Sequence, residues 1–249
     1  MNASTTKPLQ GKTALITGAS RGIGSAIAKR LAEDGASVVV NYVNNLESAQ
    51  EVVASIVKAG GQAIAVQADA SKLEDLRRLF DTAQTEYGTL EIVVLNPGNF
   101  LMKPLMDVSE EEFDRVFSLN ARGVFFGLQE AAKRISDGGS IVSVSSGATA
   151  LPGAGGSVYA GSKAAAEQFT VALAKELGAR GITVNTVSPS ITNTDGLVVP
   201  PPVIERLKSM IPLGRIGEPE DIANVVAFLV GPQGHWVNAQ NIRANGGMV

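Results

Sequence analysis

The chain has no cysteine and a single histidine, and these two absences remove several kinds of chemistry. Without thiols it can form neither disulfides nor thiolate metal sites, and it can carry no cysteine nucleophile. One histidine, His235, cannot form a cluster for a transition metal, and no Ser-His-Asp arrangement is visible. We therefore expect no metal centre and no hydrolase of the serine-triad type.

Long apolar runs and a strong excess of one charge are also missing. No stretch of about 18 apolar residues occurs that would cross a membrane, and residues 1–10 lack the apolar segment of a signal peptide. The 21 basic and 24 acidic residues give a net charge of −3. Because the basic residues are scattered, a nucleic-acid surface is disfavoured. These features predict a cytoplasmic protein with no membrane or nucleic-acid partner.

What the chain does have is a regular alternation of short apolar segments with helical patterns. Hydrophobic residues reach 45%, enough for a large core, and no shift in composition suggests a linker. The alternation predicts an α/β fold, a Rossmann-like doubly wound parallel sheet of about seven strands in a three-layer α/β/α arrangement. We predict a single domain over residues 1–249. The predicted strands are residues 14–16, 36–42, 62–67, 90–95, 140–145, 181–187 and 240–244.

Two regions predict less regular structure. A long helix begins near Ser109, where Glu112 completes a capping-box pattern, and runs to Ile135 with a distortion around residues 120–123. Residues 189–202 contain four prolines and little periodicity, so we expect a loop there and a short helix over 204–210.

A glycine-rich stretch follows the first predicted strand directly. Gly18, Gly22 and Gly24 have the spacing G-x-x-x-G-x-G, which allows a tight turn and a close approach of the backbone to a phosphate. The helix that follows offers free N–H groups to a pyrophosphate. The alternative is an ordinary tight strand-to-helix connection, and the position at the start of a βαβ series favours the phosphate interpretation.

A second informative pattern is the pair Tyr159 and Lys163 on a predicted helix. Positions i and i+4 share one face, so the phenol and the ammonium can converge on one pocket. A nearby positive charge lowers a phenol pKa, which allows proton exchange with a carbonyl or alcohol oxygen near neutral pH. Ser146 ends the preceding strand, where ligands bind in open α/β sheets. The alternative is a surface Tyr and Lys one turn apart.

Together these motifs resemble the short-chain dehydrogenase/reductase family. The similarity covers nearly the whole chain and keeps order and spacing. It implies a catalytic tetrad in which Tyr159 exchanges the proton with the substrate oxygen and Ser146 holds that oxygen. It also implies that Lys163 lowers the Tyr159 pKa and binds the nicotinamide ribose, while Asn120 supports Lys163 through ordered water.

The resemblance implies a nicotinamide dinucleotide as cofactor. The end of the second strand, with Asn41, Tyr42 and Asn44, has no carboxylate that would repel a 2′-phosphate, and Arg21 can pair with one, so we predict NADP, with NAD as the alternative. Two departures from the family pattern, Pro97 and Ser190, affect the loops near this cofactor. The predicted cofactor-binding residues are Gly18, Ser20, Arg21, Gly22, Ile23, Gly24, Asn41, Tyr42, Asn44, Asp69, Ala70, Asn96, Gly98, Tyr159, Lys163, Thr192 and Thr194.

The expected function is NAD(P)-dependent interconversion of a ketone and a secondary alcohol. The alternative within enzymes is a 3-oxoacyl-carrier-protein reductase, for which Lys103, Arg122 and Arg134 are the only hints of a basic docking surface. An alternative of another class is a catalytically silent dinucleotide-binding regulator. The family resemblance implies a homotetramer. An apolar segment around residues 190–215 predicts a substrate lid, stiffened by its prolines and hinged at Gly196 and Gly214, over a predominantly apolar or aromatic ketone.

Overall fold

Seven parallel strands form one sheet in the order β3-β2-β1-β4-β5-β6-β7. The computed structural model describes residues 7–249. Residues 1–6 lie outside this range, and so does that part of the predicted domain and of the stretch 1–10 that lacks the apolar segment of a signal peptide. The strands are β1 Thr13–Ile16, β2 Ser37–Tyr42, β3 Gln62–Gln67, β4 Leu90–Leu95, β5 Ile135–Val144, β6 Thr183–Pro189 and β7 Asn241–Ala244. The predicted doubly wound α/β sheet is therefore confirmed.

Eight α-helices occur within residues 7–249, and six of them cover the two faces of this sheet. The eight helices are α1 Gly22–Glu33, α2 Leu46–Lys58, α3 Leu73–Tyr87, α4 Glu110–Phe117, α5 Val124–Arg134, α6 Ser157–Leu177, α7 Pro201–Ser209 and α8 Pro219–Val230. One core cluster packs α1, α2 and α8 against one face, and a second packs α3, α5 and α6 against the other. Because both faces are covered, the central strands β1 and β4 are buried along almost their whole length.

The long helix predicted after Ser109 is divided into three parts. Its start is confirmed, since Ser109 and Glu112 form a capping box at the beginning of α4. A π-helical segment, Ser118–Gly123, then separates α4 from α5 at the predicted distortion. A π-helical turn inserts an extra residue and changes the direction of the side chains, and such turns are frequent at functional sites.

Two predicted boundaries are wrong. The fifth strand begins at Ile135, not at residue 140, because Ile135 already pairs with Leu90 before the register shifts. Helix α7 begins at Pro201, inside the predicted loop. Proline lacks an N–H that the first helical turn leaves unpaired in any case, so Pro201 and Pro202 begin this helix at little cost.

The strand order places the carboxyl ends of β1 and β4 beside each other at the centre of the sheet. The chain runs outward from β1 through β2 to β3, then returns to β4 and continues to β7 on the other side. At such a reversal the connecting loops diverge and leave a crevice in which ligands bind. No helix within residues 7–249 combines the length and the apolar character that a membrane crossing needs.

Candidate active site

A cleft of about 580 Å³ opens at this reversal, beyond the carboxyl ends of the central strands. Most of the predicted cofactor-binding residues line it, together with seven that were not predicted. Its walls are Gly18, Ser20, Arg21, Gly22, Ile23, Asn41, Tyr42, Val43, Asn44, Asn45, Ser48, Ala70, Asn96, Pro97, Gly98, Leu119, Thr194, Asp195 and Gly196. Gly24, Asp69, Thr192, Tyr159 and Lys163 are not part of its lining.

Gly18 and Gly22 of the glycine turn present only backbone to the cleft. Gly18 and Gly22 have φ of +61° and +53°, a conformation that other residues rarely adopt. A Cβ at Gly24 would lie 2.3 Å from the carbonyl oxygen of Gly18, so no side chain fits there. A Cβ at Gly22 would lie 3.2 Å from Thr194 Cγ2 and would narrow the cleft. Each glycine of the motif thus has a steric reason.

Two amide side chains hold this turn in place. Asn41 Oδ1 accepts a hydrogen bond from the N–H of Gly18 at 3.0 Å, and its Nδ2 donates to Ala68 O at 2.9 Å. Asn96 Nδ2 donates to Gly18 O at 3.1 Å from the end of β4. The polar atoms of the Asn41 side chain therefore bind backbone groups. From its place on the cleft wall Asn41 stabilises the glycine turn, and both polar atoms of its side chain already have partners.

The end of β2 and the start of α2 form the outer part of the cleft. Asn45 caps α2 by accepting a hydrogen bond from the N–H of Ser48 at 3.0 Å. Both residues and Val43 line the cleft, and the predicted set did not include them. The turn-to-helix pattern Asn45-Leu-Glu-Ser48 is a cap signal that could have identified them.

Asp69, a predicted cofactor-binding residue, is not part of the cleft lining, and its contact with a cofactor stays a prediction. Its Oδ1 accepts hydrogen bonds from the N–H and the hydroxyl of Ser71 at 3.0 and 2.7 Å. Burial acts against ionisation here, but the Ser71 hydrogen bonds hold the Asp69 pKa below its ordinary value. This carboxylate stabilises the turn after β3, and the neighbouring Ala70 is the residue that reaches the cleft.

Lys163 is buried behind the wall formed by Gly98. Its Nζ donates to Pro97 O at 3.0 Å and to Val144 O at 2.9 Å, which joins the ends of β4 and β5 to α6. A Cβ at Gly98 would lie 3.3 Å from this Nζ, so the glycine brings the ammonium close to the cleft. Burial lowers the Lys163 pKa to about 8, and the charge of Glu167 acts in the opposite direction. Pro97, a departure from the family pattern, contributes its carbonyl to this contact.

Asn120 lies in the π-helical segment and is fully buried. Its Oδ1 accepts from the N–H of Asn99 at 2.8 Å, while its Nδ2 donates to Asn99 O at 2.9 Å and to Ser162 Oγ at 3.0 Å. It therefore ties the loop after β4 to the helix that carries Lys163. No direct hydrogen bond joins Asn120 to Lys163 in the part of the chain that the structure describes.

Tyr159 lies one turn before Lys163 on α6, half-buried and close to Ser146. Burial raises the Tyr159 pKa above its ordinary value, and the neighbouring Ser146 hydroxyl offsets part of this rise. Lys163 donates its hydrogen bonds to two backbone carbonyls and is not among the groups that shift the Tyr159 pKa here, so the implied lowering by Lys163 stays a prediction. The ring of Phe100 meets Tyr159 edge-to-face, with centroids 5.0 Å apart and planes at 69°.

Comparison with known proteins agrees with this geometry. A family model described as enoyl-(acyl carrier protein) reductase matches residues 18–249. The hydroxynaphthalene reductase-like protein Arp2 of Metarhizium brunneum is 45% identical, with 98% of this chain and 97% of that protein covered. The crystal structure of a short chain dehydrogenase from Burkholderia cenocepacia in complex with NADP has a TM-score of 0.93 at 42% identity, covering 97% of this chain and 99% of that one. The angucycline C-6 ketoreductase LanV with bound NADP gives 0.92 at 40% identity, covering 97% and 96%.

The chain belongs to the short-chain dehydrogenase/reductase family. It is an NAD(P)-dependent oxidoreductase, as the motifs predict. In this short-chain dehydrogenase/reductase the cleft residues fit a dinucleotide. Helix α1 begins at Gly22 with no side-chain cap among residues 7–249, so its first N–H groups are free to bind a diphosphate.

No cluster of three or more metal-ligating side chains exists within the described range of this short-chain dehydrogenase/reductase. The predicted tetrad residues come from three elements: Asn120 from the π-helical segment, Ser146 from the end of β5, and Tyr159 and Lys163 from α6. The structure brings Tyr159 and Ser146 together, and places Lys163 beside Gly98 at the cleft. Thr194 lies against Gly22, so the segment after β6 reaches the glycine turn.

Proposed function

We propose that the protein is an NADP-dependent reductase of aromatic ketones and produces secondary alcohols. The observation that carries this proposal is the pairing of Phe100 with Tyr159. The Phe100 side chain is 64% exposed although its ring packs on the phenol, so an aromatic surface is presented beside the reacting group. Aromatic rings pack well on such a surface in edge-to-face or offset geometry.

Each tetrad residue has a role in this reaction. The phenol of Tyr159 donates its proton to the carbonyl oxygen, and the raised pKa keeps the phenol protonated for this step. The Ser146 hydroxyl donates a hydrogen bond to the same oxygen and stabilises the charge that develops there. The nicotinamide supplies the hydride. Lys163 holds the ribose, and Asn120 positions Lys163 by fixing the loop after β4 against α6.

The same proposal includes a preference for NADP over NAD. At the outer end of the cleft, Tyr42, Asn44 and Ser48 offer hydroxyl and amide groups, and no carboxylate is part of the lining there. Arg21 lies on the same cleft and can make a charge-assisted hydrogen bond to a 2′-phosphate. Two similar proteins have NADP in their crystal structures, which supports this choice.

The segment around residues 190–215 is proposed to act as a lid over the nicotinamide. It contains α7, and its apolar side chains Val198 and Leu213 are exposed, whereas Ile211 is buried. Gly214 has φ of +70°, in keeping with one of the two predicted hinges. Exposed apolar groups next to a cleft favour a partner surface, which a bound aromatic substrate would provide.

A carrier-protein substrate is less well supported, although the matching family model bears an acyl-carrier-protein name. Docking of an acidic carrier needs free basic groups. Lys103 forms an ion pair with Glu112 at 2.8 Å, and Arg134 pairs with Asp81 and Glu130. Arg122 lies over the Phe126 ring, 5.0 Å from its centroid. These cations already have partners, which leaves little basic surface for a carrier.

We also propose a cytoplasmic homotetramer. The rings of Phe125 and Phe169 pack edge-to-face with centroids 5.2 Å apart, and Phe125 is exposed on the outer side of α5. Such an aromatic surface is suited to a second copy of the chain. Light scattering at micromolar concentration should give about four times the 25.8 kDa chain mass. A monomer mass would refute the tetramer.

The experiment for the function compares NADPH-dependent reduction of 1-tetralone, an aryl ketone, with that of a polyhydroxylated ketose. We expect kcat/KM to favour the aryl ketone, and NADPH to exceed NADH. A preference for the ketose would reject the aromatic substrate class. If NADPH binds but no member of a broad carbonyl panel reacts, the silent regulator is the correct function.

A further inference from the structure

Glu167 lies one turn after Lys163 on α6 and makes contacts that the proposed mechanism does not use. Its Oε1 accepts a hydrogen bond from Ser145 Oγ at 2.6 Å and another from Thr149 Oγ1 at 2.7 Å. The hydroxyl of Ser188, on β6, lies 3.4 Å from the same oxygen. One carboxylate oxygen thus accepts hydrogen bonds from hydroxyl groups on three segments, namely the end of β5, the turn after it, and β6.

The two short hydrogen bonds come from residues on either side of Ser146. Ser145 directly precedes it, and Thr149 follows three residues later in the turn Gly147–Thr149. The Ser146 Oγ accepts from the N–H of Ala148 at 3.2 Å, so its direction depends on this turn. Glu167 therefore fastens both ends of the Ser146 turn to the helix that carries Tyr159 and Lys163.

We propose that Glu167 is a positioning residue for the proposed ketone reduction, setting Ser146 against Tyr159 through the turn that carries Ser146. It does so without touching the substrate. The inference rests on the proposed function for its catalytic part. Hydrogen bonds to an ionised carboxylate are shorter and about twice as strong as neutral ones, which suits the short distances to Ser145 and Thr149.

The charge of Glu167 has a second consequence at Lys163. Burial lowers the Lys163 pKa, and Glu167 is the charged group that opposes this change. On α6 the other titratable group nearby is Tyr159. The packed strands present hydroxyls, carbonyls and amides to this region: Ser145, Ser188, Asn241, Pro97 and Val144. The chain end at Val249 approaches Gly147 on the far side of the turn.

Two variants separate the positioning effect from the charge effect. Glu167→Gln keeps an oxygen that can accept hydrogen bonds from the two hydroxyls, but it removes the negative charge. The double variant Ser145→Ala with Thr149→Val keeps the charge and removes the hydroxyls that it holds. Glu176→Gln is the matched control, because it removes the same charge from an exposed position farther along the same helix.

The readouts are kcat, KM, and the NADPH Kd measured by fluorescence across pH. For Glu167→Gln we expect kcat to fall roughly tenfold with NADPH Kd at pH 7 within about twofold of wild type. The alkaline weakening of NADPH binding should begin at lower pH, since Lys163 loses its proton more easily. The double variant should also lower kcat but leave the alkaline weakening where it is. Glu176→Gln should match wild type in both.

The inference is overturned if Glu167→Gln keeps the wild-type kcat and its NADPH binding weakens at the same alkaline pH as in wild type. It is also overturned if the double variant keeps the wild-type kcat, or if Glu176→Gln changes kcat and pH dependence as much as Glu167→Gln does. A loss confined to thermal stability, with kcat and pH dependence intact, also overturns it. If wild type reduces no ketone, the proposed function fails instead, and the pH dependence of NADPH binding still tests the link between Glu167 and Lys163.

Discussion

Replacement of Asn41 by alanine should destabilise the protein far more than its place on a cleft wall suggests. The side chain is 1% exposed, and among its partners the carbonyl of Ala68 is buried and the N–H of Gly18 is partly buried. Asn41→Ala leaves the N–H of Gly18 and the carbonyl of Ala68 without their partners at 3.0 and 2.9 Å. An unsatisfied buried polar group costs about 1–3 kcal/mol, so two of them reduce the free energy of unfolding by roughly 3 kcal/mol. For a chain of this length that lowers Tm by about 6–12 °C.

The assay is urea denaturation of wild type, Asn41→Ala and the control Asn44→Ala, with NADPH affinity measured in parallel. Asn44 lines the same cleft and is exposed, so its truncation should change the free energy of unfolding by less than about 0.5 kcal/mol. Asn41→Ala should also weaken NADPH binding, because the Gly18 turn loses its brace. A loss below about 0.5 kcal/mol for Asn41→Ala would refute the bracing role.

Three further predictions follow from the same site. Asn44→Asp should weaken NADPH binding by about tenfold and leave NADH binding within about twofold, because a carboxylate repels the 2′-phosphate; equal effects on both cofactors would contradict it. Phe100→Ala should lower kcat/KM for 1-tetralone by about three- to tenfold while sparing a small aliphatic ketone; an equal loss for both would argue against the aromatic contact. Lys163, with its pKa lowered to about 8, is charged below that pH, so kcat/KM for NADPH should fall as pH rises through about 8; a flat profile up to pH 10 would oppose this.

The strands could be predicted closely because both faces of a parallel sheet are buried. The mainly apolar β4, Leu90–Leu95, has the bounds that the sequence pattern indicates. The start of β5 could not be predicted in the same way. Asp137 and Gly138 look like a turn, yet the chain holds strand pairing at Ile135 before them through a shift in register. Local composition does not reveal pairing with a distant strand.

The positions of the tetrad residues follow from motif spacing, but their electrostatics do not. Spacing places Tyr159 and Lys163 on one helix face, as α6 confirms. Whether the Lys163 ammonium contacts the Tyr159 phenol depends on the carbonyls of Pro97 and Val144, at the ends of β4 and β5. These carbonyls take its hydrogen bonds, and burial then determines the direction of the Tyr159 pKa. Only the three-dimensional structure contains that competition.

The side chain of Asn41 illustrates the same limit at the cofactor cleft. The sequence correctly shows that the end of β2 has no carboxylate. It cannot show that the Asn41 amide points inward to Gly18 and Ala68, because a polar side chain at the end of a strand can face either side of the sheet. The cleft residues Asn45 and Ser48 could have been predicted, because their helix-capping pattern is visible in the sequence.

The most direct test of the central claim is NADPH-dependent reduction of 1-tetralone by wild type and by Tyr159→Phe. Removal of the hydroxyl deletes the proposed proton donor and keeps the ring that packs against Phe100. We predict turnover by wild type, a fall in kcat of about 10²–10⁴-fold in the variant, and an NADPH Kd that stays within about twofold. A Tyr159→Phe enzyme that reduces the ketone at the wild-type rate would contradict the account.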